Sequence, residues 1–474
     1  MTNFQTATAL ADHLRTGRTT AAHVMDALLE RIATVNPIIN AICELDGPGA
    51  RVAAARVDAA IGRGEDLGPL AGVPITVKDA LHATGLRTTW GNPGFADAIA
   101  ERDATVVQRL REAGTIIVGK SNVAMMLEDF GQTSNPLHGT TANPWNPQHC
   151  AGGSSGGAAA ALAAGLSYLE YGSDLVGSIR IPAAYCGIYG LKPSVGTVPT
   201  TGLQPPGPFG PRTDPTALSC VGPMARSAAD LRLALSATGG PESPASLANR
   251  WRLARPRAET LAEFRVGVVV DDPRCPVTTD VGDVMSNVVD ALTGVGVTVR
   301  TGWPEGIDAG RVAESFGAQV AAFFALVDPE GSVDGLDFAA QERFRFATRA
   351  AWADYFADVD VFLCPVTFGT AFPHDRRPFE HRTIETADGP RDYTDQPFWI
   401  THASLPGLPA LSAPAGLSPA GLPIGIQVIG PMHEDDTALT FAERMADVIG
   451  AFNPPPPVAP LPIPSEVTTT SRNS

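Results

Sequence analysis

The sequence predicts an α/β fold with a parallel sheet. Residues 73–77 alternate apolar side chains as a short strand, a helical run follows Asp103 and closes at Gly114, and a second strand occupies residues 115–118. A strand–helix–strand order is typical of a parallel sheet, because the helix carries the chain back to the same end of the sheet. Hydrophobic residues make up 44% of the chain and charged residues 18%, which supplies ample material for a buried core.

Further elements are predicted on both sides of this unit. An amphipathic helix follows Thr19 or Thr20 and ends at Asn36-Pro37. A helix of small residues over 157–164 is expected in the interior, because side chains of this size allow close approach. Asp435 or Asp436 is expected to cap the final helix. The remaining predictions are strands at 168–171, 265–270 and 422–429, and helices at 284–292 and 339–356.

We expect one domain over residues 1–452, followed by a proline-rich, flexible tail over 453–474. Within the domain, the sequence suggests four regions: N-terminal helices packed on the core (1–67), a glycine-rich core (68–240), a variable, partly helical region (241–400) and a return to the core (401–452).

Charge and cysteine content exclude several classes of function. The net charge of −16, with no basic run, argues against a nucleic-acid partner. Six scattered cysteines without CxxC spacing argue against a zinc site and a disulfide framework. No signal-peptide pattern is present, and no apolar run approaches about 18 residues. We therefore expect a cytoplasmic protein that is not bound to a membrane.

Two glycine-rich loops carry serines in positions suited to chemistry. The first, residues 151–157, lacks the lysine of a phosphate-binding loop, but its small neighbours leave room around Ser154 and Ser155. The second, residues 172–182, holds Ser178 after a tight turn, where successive N–H groups can converge as an oxyanion hole. Taken singly, a loop of either kind is more commonly an ordinary turn, in which the serine caps the backbone and has no catalytic role.

A serine nucleophile also needs a base, and none of the nine histidines lies in a triad-like motif. Lys78 ends the first predicted strand. Burial would lower the pKa of this amine and leave it able to accept a proton. On this strand alone, an edge lysine that extends into water is the commoner outcome.

Taken together, these elements resemble the amidase signature family of serine hydrolases. The resemblance is carried by GGSSGGAAAALAAGLSYLEYGSDLVGSIRIPAAYCGIYGLKP over 152–193 and by LAGVPITVKD, GPMARSAADL and GLPIGIQVIGP elsewhere. It implies a large α/β/α sandwich whose central mixed, mostly parallel β-sheet is covered by helices. It also implies a triad: Ser178 as nucleophile, Ser154 as the bridging serine beside a cis peptide bond, and Lys78 as base.

The same resemblance implies the rest of the site. Backbone N–H groups of Leu175, Val176, Gly177 and Ser178 would form the oxyanion hole, and no metal or cofactor is implied. Val176 departs from the family pattern, which has a glycine there, and can donate only if its φ is negative. The residues expected to support the site are Ser155, Ser173, Asp174 and Arg180, with Asp174 and Arg180 as a structural ion pair.

Three functions remain open at this point. The first is a stand-alone amidase for a small-molecule amide. The second is the A subunit of the glutamyl-tRNA amidotransferase, which works with partner subunits, although SVGTVPTTGLQ after Pro193 departs from the pattern typical of that enzyme. The third is an inactive binding protein that keeps the fold.

The sequence also suggests features of the substrate and of the assembly. A homodimer is one open oligomeric state, and the apolar residues 205–209 suggest that the substrate carries a hydrophobic acyl group. The residues expected to line the substrate pocket are Met125, Met126, Asp129, Phe209 and Trp399.

Overall fold

The computed structural model describes residues 3–206, 217–328, 330–387 and 389–457. Phe209 and most of the predicted tail lie outside these residues. Residues 453–457, which are described, form neither helix nor strand. Within the described ranges, no helix is both long enough and apolar enough to cross a bilayer.

The described residues contain twelve α-helices. Their bounds are α1 Ala7–Arg15, α2 Ala21–Ile39, α3 Gly47–Gly62, α4 Thr105–Glu112, α5 Gly156–Ala163, α6 Arg180–Cys186, α7 Ala228–Thr238, α8 Thr279–Gly294, α9 Ala309–Val327, α10 Gly335–Tyr355, α11 Phe398–Ser404 and α12 Asp435–Ile449.

The same residues form seventeen strands, several of them only two residues long. Their bounds are β1 Ile42–Leu45, β2 Pro74–Lys78, β3 Ile116–Ser121, β4 Ser134–Asn135, β5 Gly139–Thr140, β6 Ala142–Asn143, β7 Asn146–Cys150, β8 Glu170–Asp174, β9 Tyr189–Lys192, β10 Cys220–Ala225, β11 Arg265–Val268, β12 Thr298–Thr301, β13 Val361–Pro365, β14 Thr383–Thr386, β15 Gly389–Asp392, β16 Ala410–Leu417 and β17 Pro423–Ile429.

The central sheet has eight strands in the order β12-β11-β13-β17-β16-β9-β10-β8. The prediction of a mixed sheet is confirmed, but the expectation that it is mostly parallel is wrong. Only the β11–β12 and β11–β13 pairs are parallel, and the other five are antiparallel. The cause is connectivity: β16 and β17 are joined by a short turn around Gly421, and such a hairpin can only be antiparallel.

The predicted strand–helix–strand unit forms a second, three-stranded sheet. Strands β2 and β3 pair in parallel with α4 between them in the chain, as predicted, and β1 pairs antiparallel with β3. This sheet lies against the β8 edge of the central sheet. The Thr76 N–H of β2 donates to the Ser167 hydroxyl just before β8, at 3.1 Å. At the other end of the strands, the Lys78 amine lies 2.9 Å from the Ser173 hydroxyl, so the carboxyl ends of β2 and β8 lie side by side.

Helices pack on the central sheet in two groups. Helices α5 and α6 contact β8, β9, β10, β16 and β17, whereas α7, α8 and α12 contact the same sheet and α12 also packs against both α7 and α8. Helix α5 is entirely buried, which confirms the prediction from its small side chains. The site described below lies between the α5–α6 layer and the ends of β2 and β8.

Two predicted helix ends are wrong. Helix α2 does not stop at Asn36-Pro37 but continues through Pro37 to Ile39, where Asn40 takes a left-handed conformation with φ of 50°. The helix continues because Pro37 removes only one backbone N–H from its hydrogen bonds, whereas the apolar face extends to Ile39, which is buried. The final helix has Glu434 at its N-cap, with Asp435 and Asp436 already in the first turn. There the two carboxylates lie near the positive end of the helix dipole.

Candidate active site

The site centres on the amine of Lys78, the last residue of β2. Its Nζ lies 2.7 Å from Oγ of Ser154 and 2.9 Å from Oγ of Ser173 in β8. The side chain is fully buried. Burial lowers the pKa of Lys78 to about 7, against the opposing effect of the Asp174 carboxylate. At neutral pH, a large share of the molecules therefore holds a neutral amine at hydrogen-bond distance from a serine hydroxyl.

Glycines allow the Ser154 loop to pack closely between its neighbours. The peptide bond between Gly153 and Ser154 is cis. A Cβ on Gly153 would meet the carbonyl oxygens of Asp129 and Gln132 at 2.3 Å, and one on Gly152 would meet the Pro182 backbone at 2.6 Å. Larger residues at these two positions would push the loop away from Lys78.

Ser178 lies in the turn between β8 and α6, next to the Ser154 loop. The Ser155 N–H donates to the Ser178 carbonyl at 3.3 Å, which joins the two loops. The Ser178 side chain is nearly buried, and its hydroxyl makes no hydrogen bond to the residues that the structure describes. No direct hydrogen bond between the Ser154 and Ser178 hydroxyls is present among those residues.

The backbone of the Ser178 turn departs from the predicted oxyanion hole at one position. The Gly177 N–H donates to Oδ1 of Asp174 at 2.9 Å, so in this structure it is not available to a substrate oxygen. The N–H groups of Leu175, Val176 and Ser178 make no hydrogen bond to the described residues. Gly177 takes the positive φ of this turn, 83°, and Val176 does not have a positive φ. The valine is therefore accommodated without backbone strain.

The buried ion pair of Asp174 and Arg180 holds the turn in place. Nε and Nη2 of Arg180 donate to both carboxylate oxygens of Asp174 at 3.0 and 2.9 Å, and both side chains are fully buried. Although burial alone would raise the pKa of Asp174, the Arg180 guanidinium holds it below its usual value. Arg180 also donates to the Ile400 carbonyl, Gln427 and Ser404. One side chain thereby ties the turn to α11 and β17.

We expect Arg180→Met to destabilise the fold by about 3–5 kcal/mol, because it leaves the Asp174 carboxylate buried without its partner. Urea unfolding followed by circular dichroism measures the change. The control is Arg15→Met, which removes a surface ion pair with Asp12 and should change the free energy of unfolding by less than about 1 kcal/mol. Equal stabilities of the Arg180 variant and the unsubstituted chain would contradict this prediction.

A buried carboxyl group, Glu170 of β8, was not predicted from the sequence. It is fully buried and forms hydrogen bonds with the hydroxyls of Thr76 and Ser121. Burial raises the pKa of Glu170 to about 8, against the opposing effect of these hydroxyls. This acid joins β2, β3 and β8 just beneath Lys78. Its contacts come from three separate parts of the chain, so no local pattern marks it.

Glu170→Gln is expected to flatten the pH dependence of stability. From about pH 4.5 to about pH 8, the folded chain retains a proton on Glu170 that the unfolded chain loses. The free energy of unfolding therefore falls as the pH rises through this window, by on the order of a few kcal/mol. The glutamine variant should gain stability relative to the unsubstituted chain between pH 5 and pH 8. Urea titrations at both pH values, with exposed Glu30→Gln as control, measure this gain. A constant difference would show that Glu170 is ionised in the fold.

The three lysines of the chain carry a signal that no single motif contains. Lys78, Lys120 and Lys192 are its only lysines. All three are buried, with at most 1% of the side chain exposed. Lysine is rarely found inside proteins. Apart from histidine, every other basic residue of this chain is an arginine, and the three lysines lie in glycine-rich motifs. This distribution indicates that the lysine amines act in the protein interior and not at its surface.

The predicted pocket residues have different surroundings. Met125 is 40% exposed, and the sulfur of the half-buried Met126 accepts a hydrogen bond from Asn92. Asp129 accepts hydrogen bonds from the Tyr393 hydroxyl at 2.6 Å and from Arg382 at 2.5 Å. Trp399 is fully buried in the aromatic core, where it stacks on Trp303 and packs against Phe398.

Comparisons with known proteins identify the family of the chain. The family model described as Amidase matches residues 23–327 and 314–439. The chain is 33% identical to the A subunit of glutamyl-tRNA(Gln) amidotransferase from Synechococcus sp. (strain WH7803), over 92% of this chain and 96% of that protein. It is also 33% identical to an acylamidase of Rhodococcus erythropolis, over 93% and 95% of the two chains.

Solved structures show the same fold. The chain resembles 6-aminohexanoate cyclic dimer hydrolase complexed with substrate, with a TM-score of 0.79 and 26% identity over 95% of this chain and 98% of that one. A crystal structure of an amidase matches with a TM-score of 0.78 and 28% identity, over 94% of this chain and 100% of that one. The chain therefore belongs to the amidase signature family and is an enzyme that acts on amides.

Proposed function

We propose that this chain is an amidase that hydrolyses the C–N bond of a carboxylic amide to an acid and ammonia or an amine, by way of an acyl-enzyme. The observation that carries the proposal is the Lys78 amine: it is fully buried, its pKa is lowered to about 7, and it lies 2.7 Å from the Ser154 hydroxyl. A base with a pKa near the working pH is the best placed to move a proton during catalysis.

The proposed reaction uses two proton transfers in series. Neutral Lys78 accepts the proton of Ser154, and Ser154 takes the proton of Ser178 as the Ser178 oxygen attacks the amide carbonyl carbon. The carbonyl oxygen becomes an anion, which the N–H groups of Leu175, Val176 and Ser178 stabilise. Ser154 then returns a proton to the departing nitrogen as the C–N bond breaks. Water hydrolyses the resulting ester, and the site is restored.

The surroundings of the Ser154 loop favour an apolar acyl group. Residues 129–132 press against Gly153, and the Gly153 N–H donates to the Phe130 carbonyl at 2.9 Å. The half-buried Phe130 ring packs against Phe379 and Tyr393. Val176, also half-buried, replaces a glycine of the family pattern. Apolar and aromatic walls near a few placed polar groups are typical of sites for small hydrophobic ligands.

A second candidate function is that of the A subunit of glutamyl-tRNA(Gln) amidotransferase. It is favoured by the 33% identity to that protein across nearly the full length of both chains. Against it, the stretch SVGTVPTTGLQ after Pro193 departs from the pattern typical of that subunit. The third possibility, an inactive binding protein, depended on Val176 disrupting the oxyanion hole. Because Val176 does not have a positive φ, its N–H is still able to donate, and this argument is weakened.

The test is hydrolysis by the purified chain alone, measured with a panel of aryl and alkyl amides and with glutamine. The amidase proposal predicts release of amine or ammonia from simple amides without partner proteins. The amidotransferase function predicts no hydrolysis of the panel and glutaminase activity only with partner subunits. The inactive protein would hydrolyse nothing under either condition and would leave Ser178 unlabelled by a fluorophosphonate.

A further inference from the structure

We infer that Cys43, Asp79 and His138 form a binding site for zinc or a similar divalent transition metal. A thiol sulfur, a carboxylate oxygen and an imidazole nitrogen from these residues lie within 4.8 Å of one another. In a tetrahedral zinc site, bonds of about 2.0–2.3 Å place neighbouring ligand atoms roughly 3.3–3.8 Å apart. Closing the three atoms around one ion therefore needs movements of at most roughly 1.5 Å.

The three ligands come from separate elements that the fold brings together. Cys43 lies in β1, Asp79 directly follows β2, and His138 lies in the loop between β4 and β5. Asp79 follows Cys43 by 36 residues, and His138 follows Asp79 by 59 residues. The site therefore has no CxxC-like signature. Cysteine spacing alone therefore does not exclude zinc at this position.

A hydroxyl group already holds two of the ligands together. The Thr89 hydroxyl donates to Asp79 and lies 3.2 Å from Nε2 of His138. The Thr89 N–H also donates to Asp79, at 3.1 Å. Because both groups contact the same hydroxyl, the carboxylate and the imidazole are held in fixed positions relative to each other. Partners of this kind, which fix the orientation of ligands, are typical of metal sites in proteins.

The hydrogen bond of the Cys43 thiol argues against a catalytic cysteine. A Cys–His–Asp catalytic unit would need a thiolate, and here the thiol donates instead to the Lys120 carbonyl. A metal ion can displace the thiol proton, because thiolate is the ligand that it binds.

The charges around the cluster are nearly balanced before a metal binds. The Lys120 amine lies 3.7 Å from Asp79, and Glu44 and Arg87 form an ion pair at the edge of the cluster. Addition of a divalent ion with loss of the thiol proton raises the net charge by one. This increase is smallest for a metal that binds thiolate strongly, so the ligand set favours zinc over magnesium or calcium.

The cluster is accessible from one side. Cys43 and His138 are half-buried and Asp79 is nearly fully buried, so an ion can enter from the side of the first two. Asp79 is the neighbour of Lys78 in the chain. The metal site depends only on its own three ligands, and it stands or falls independently of the amidase proposal.

The experiment is a titration of the full chain with Zn²⁺ in competition with a chromophoric chelator, combined with zinc X-ray absorption. We expect one ion per chain and a sulfur neighbour at about 2.3 Å. Cys43→Ser and His138→Gln should each weaken binding by about tenfold or more, since each removes one ligand. The control, Cys275→Ser, changes a buried cysteine outside the cluster and should bind with an affinity within about twofold of the unsubstituted chain.

Several results would overturn the inference. One is a folded Cys43→Ser chain, judged by circular dichroism, that binds zinc as tightly as the unsubstituted chain. Another is an absorption spectrum without a sulfur neighbour. If Cys43→Ser does not fold, His138→Gln carries the same test at a half-buried position. Binding that survives in His138→Gln would place the ion elsewhere and would also overturn the inference.

Discussion

Replacement of Ser178 by alanine is expected to lower kcat/KM for amide hydrolysis by on the order of 10⁴-fold or more. The variant removes the oxygen that attacks the carbonyl carbon, and the Ser154 hydroxyl is hydrogen-bonded to Lys78 rather than free. The fold should be unaffected, because the Ser178 hydroxyl makes no hydrogen bond within the described residues. Initial rates on the best amide of the panel measure the loss.

The matched control for this variant is Ser412→Ala. Ser412 is also a buried serine whose hydroxyl has no hydrogen-bond partner among the described residues, but it lies in β16, outside the proposed machinery. We expect it to retain the original rate. A serine-directed fluorophosphonate should label the unsubstituted chain and Ser412→Ala but not Ser178→Ala. Hydrolysis by Ser178→Ala at the original rate would remove Ser178 from the mechanism.

Lys78→Met is expected to reduce kcat/KM by about 10²–10⁴-fold, the usual contribution of a placed general base. Methionine fills a similar volume but cannot accept a proton. In the unsubstituted chain, the rate should fall about tenfold per pH unit below the pKa of about 7, because protonated Lys78 is no longer a base. The residual rate of the methionine variant should lack this acid limb.

The control for the pH profile is Lys192→Met, which replaces another buried lysine. The Lys192 amine donates to the Pro193 carbonyl and to Cys220, away from Ser154. Its variant should keep an acid limb centred near pH 7, whatever its absolute rate. A profile of the unsubstituted chain that stays flat down to pH 5 would rule out Lys78 as the base.

Local patterns predicted the elements of this fold better than their arrangement. The alternation at 73–77 and the small-residue helix at 157–164 correspond to β2 and α5 within one or two residues. Strand direction in the central sheet was missed, because it depends on which strands are joined by short turns such as the one at Gly421. The continuation of α2 through Pro37 was missed for a related reason: packing outweighed a local stop signal.

The candidate site shows the same contrast between local sequence motifs and contacts made by packing. Lys78, Ser154 and Ser178 were predicted from the combined resemblance of their motifs to one family, and the structure brings Lys78 and Ser154 to 2.7 Å. Contacts between distant segments could not be predicted. The hydroxyl of Ser173 contacts Lys78 directly, and Glu170 is buried between three strands. Each depends on how β2, β8 and the following turn pack together.

The burial of all three lysines has a practical consequence for chemical labelling. Every basic side chain on the folded surface, apart from histidine, is an arginine, and guanidinium groups keep their charge beyond pH 12. An acylating reagent directed at amines therefore finds no lysine on the native exterior. The rate at which lysine is acylated therefore measures how fast the protein opens. Mass spectrometry would detect this reaction as the slow appearance of modified peptides around residues 78, 120 and 192.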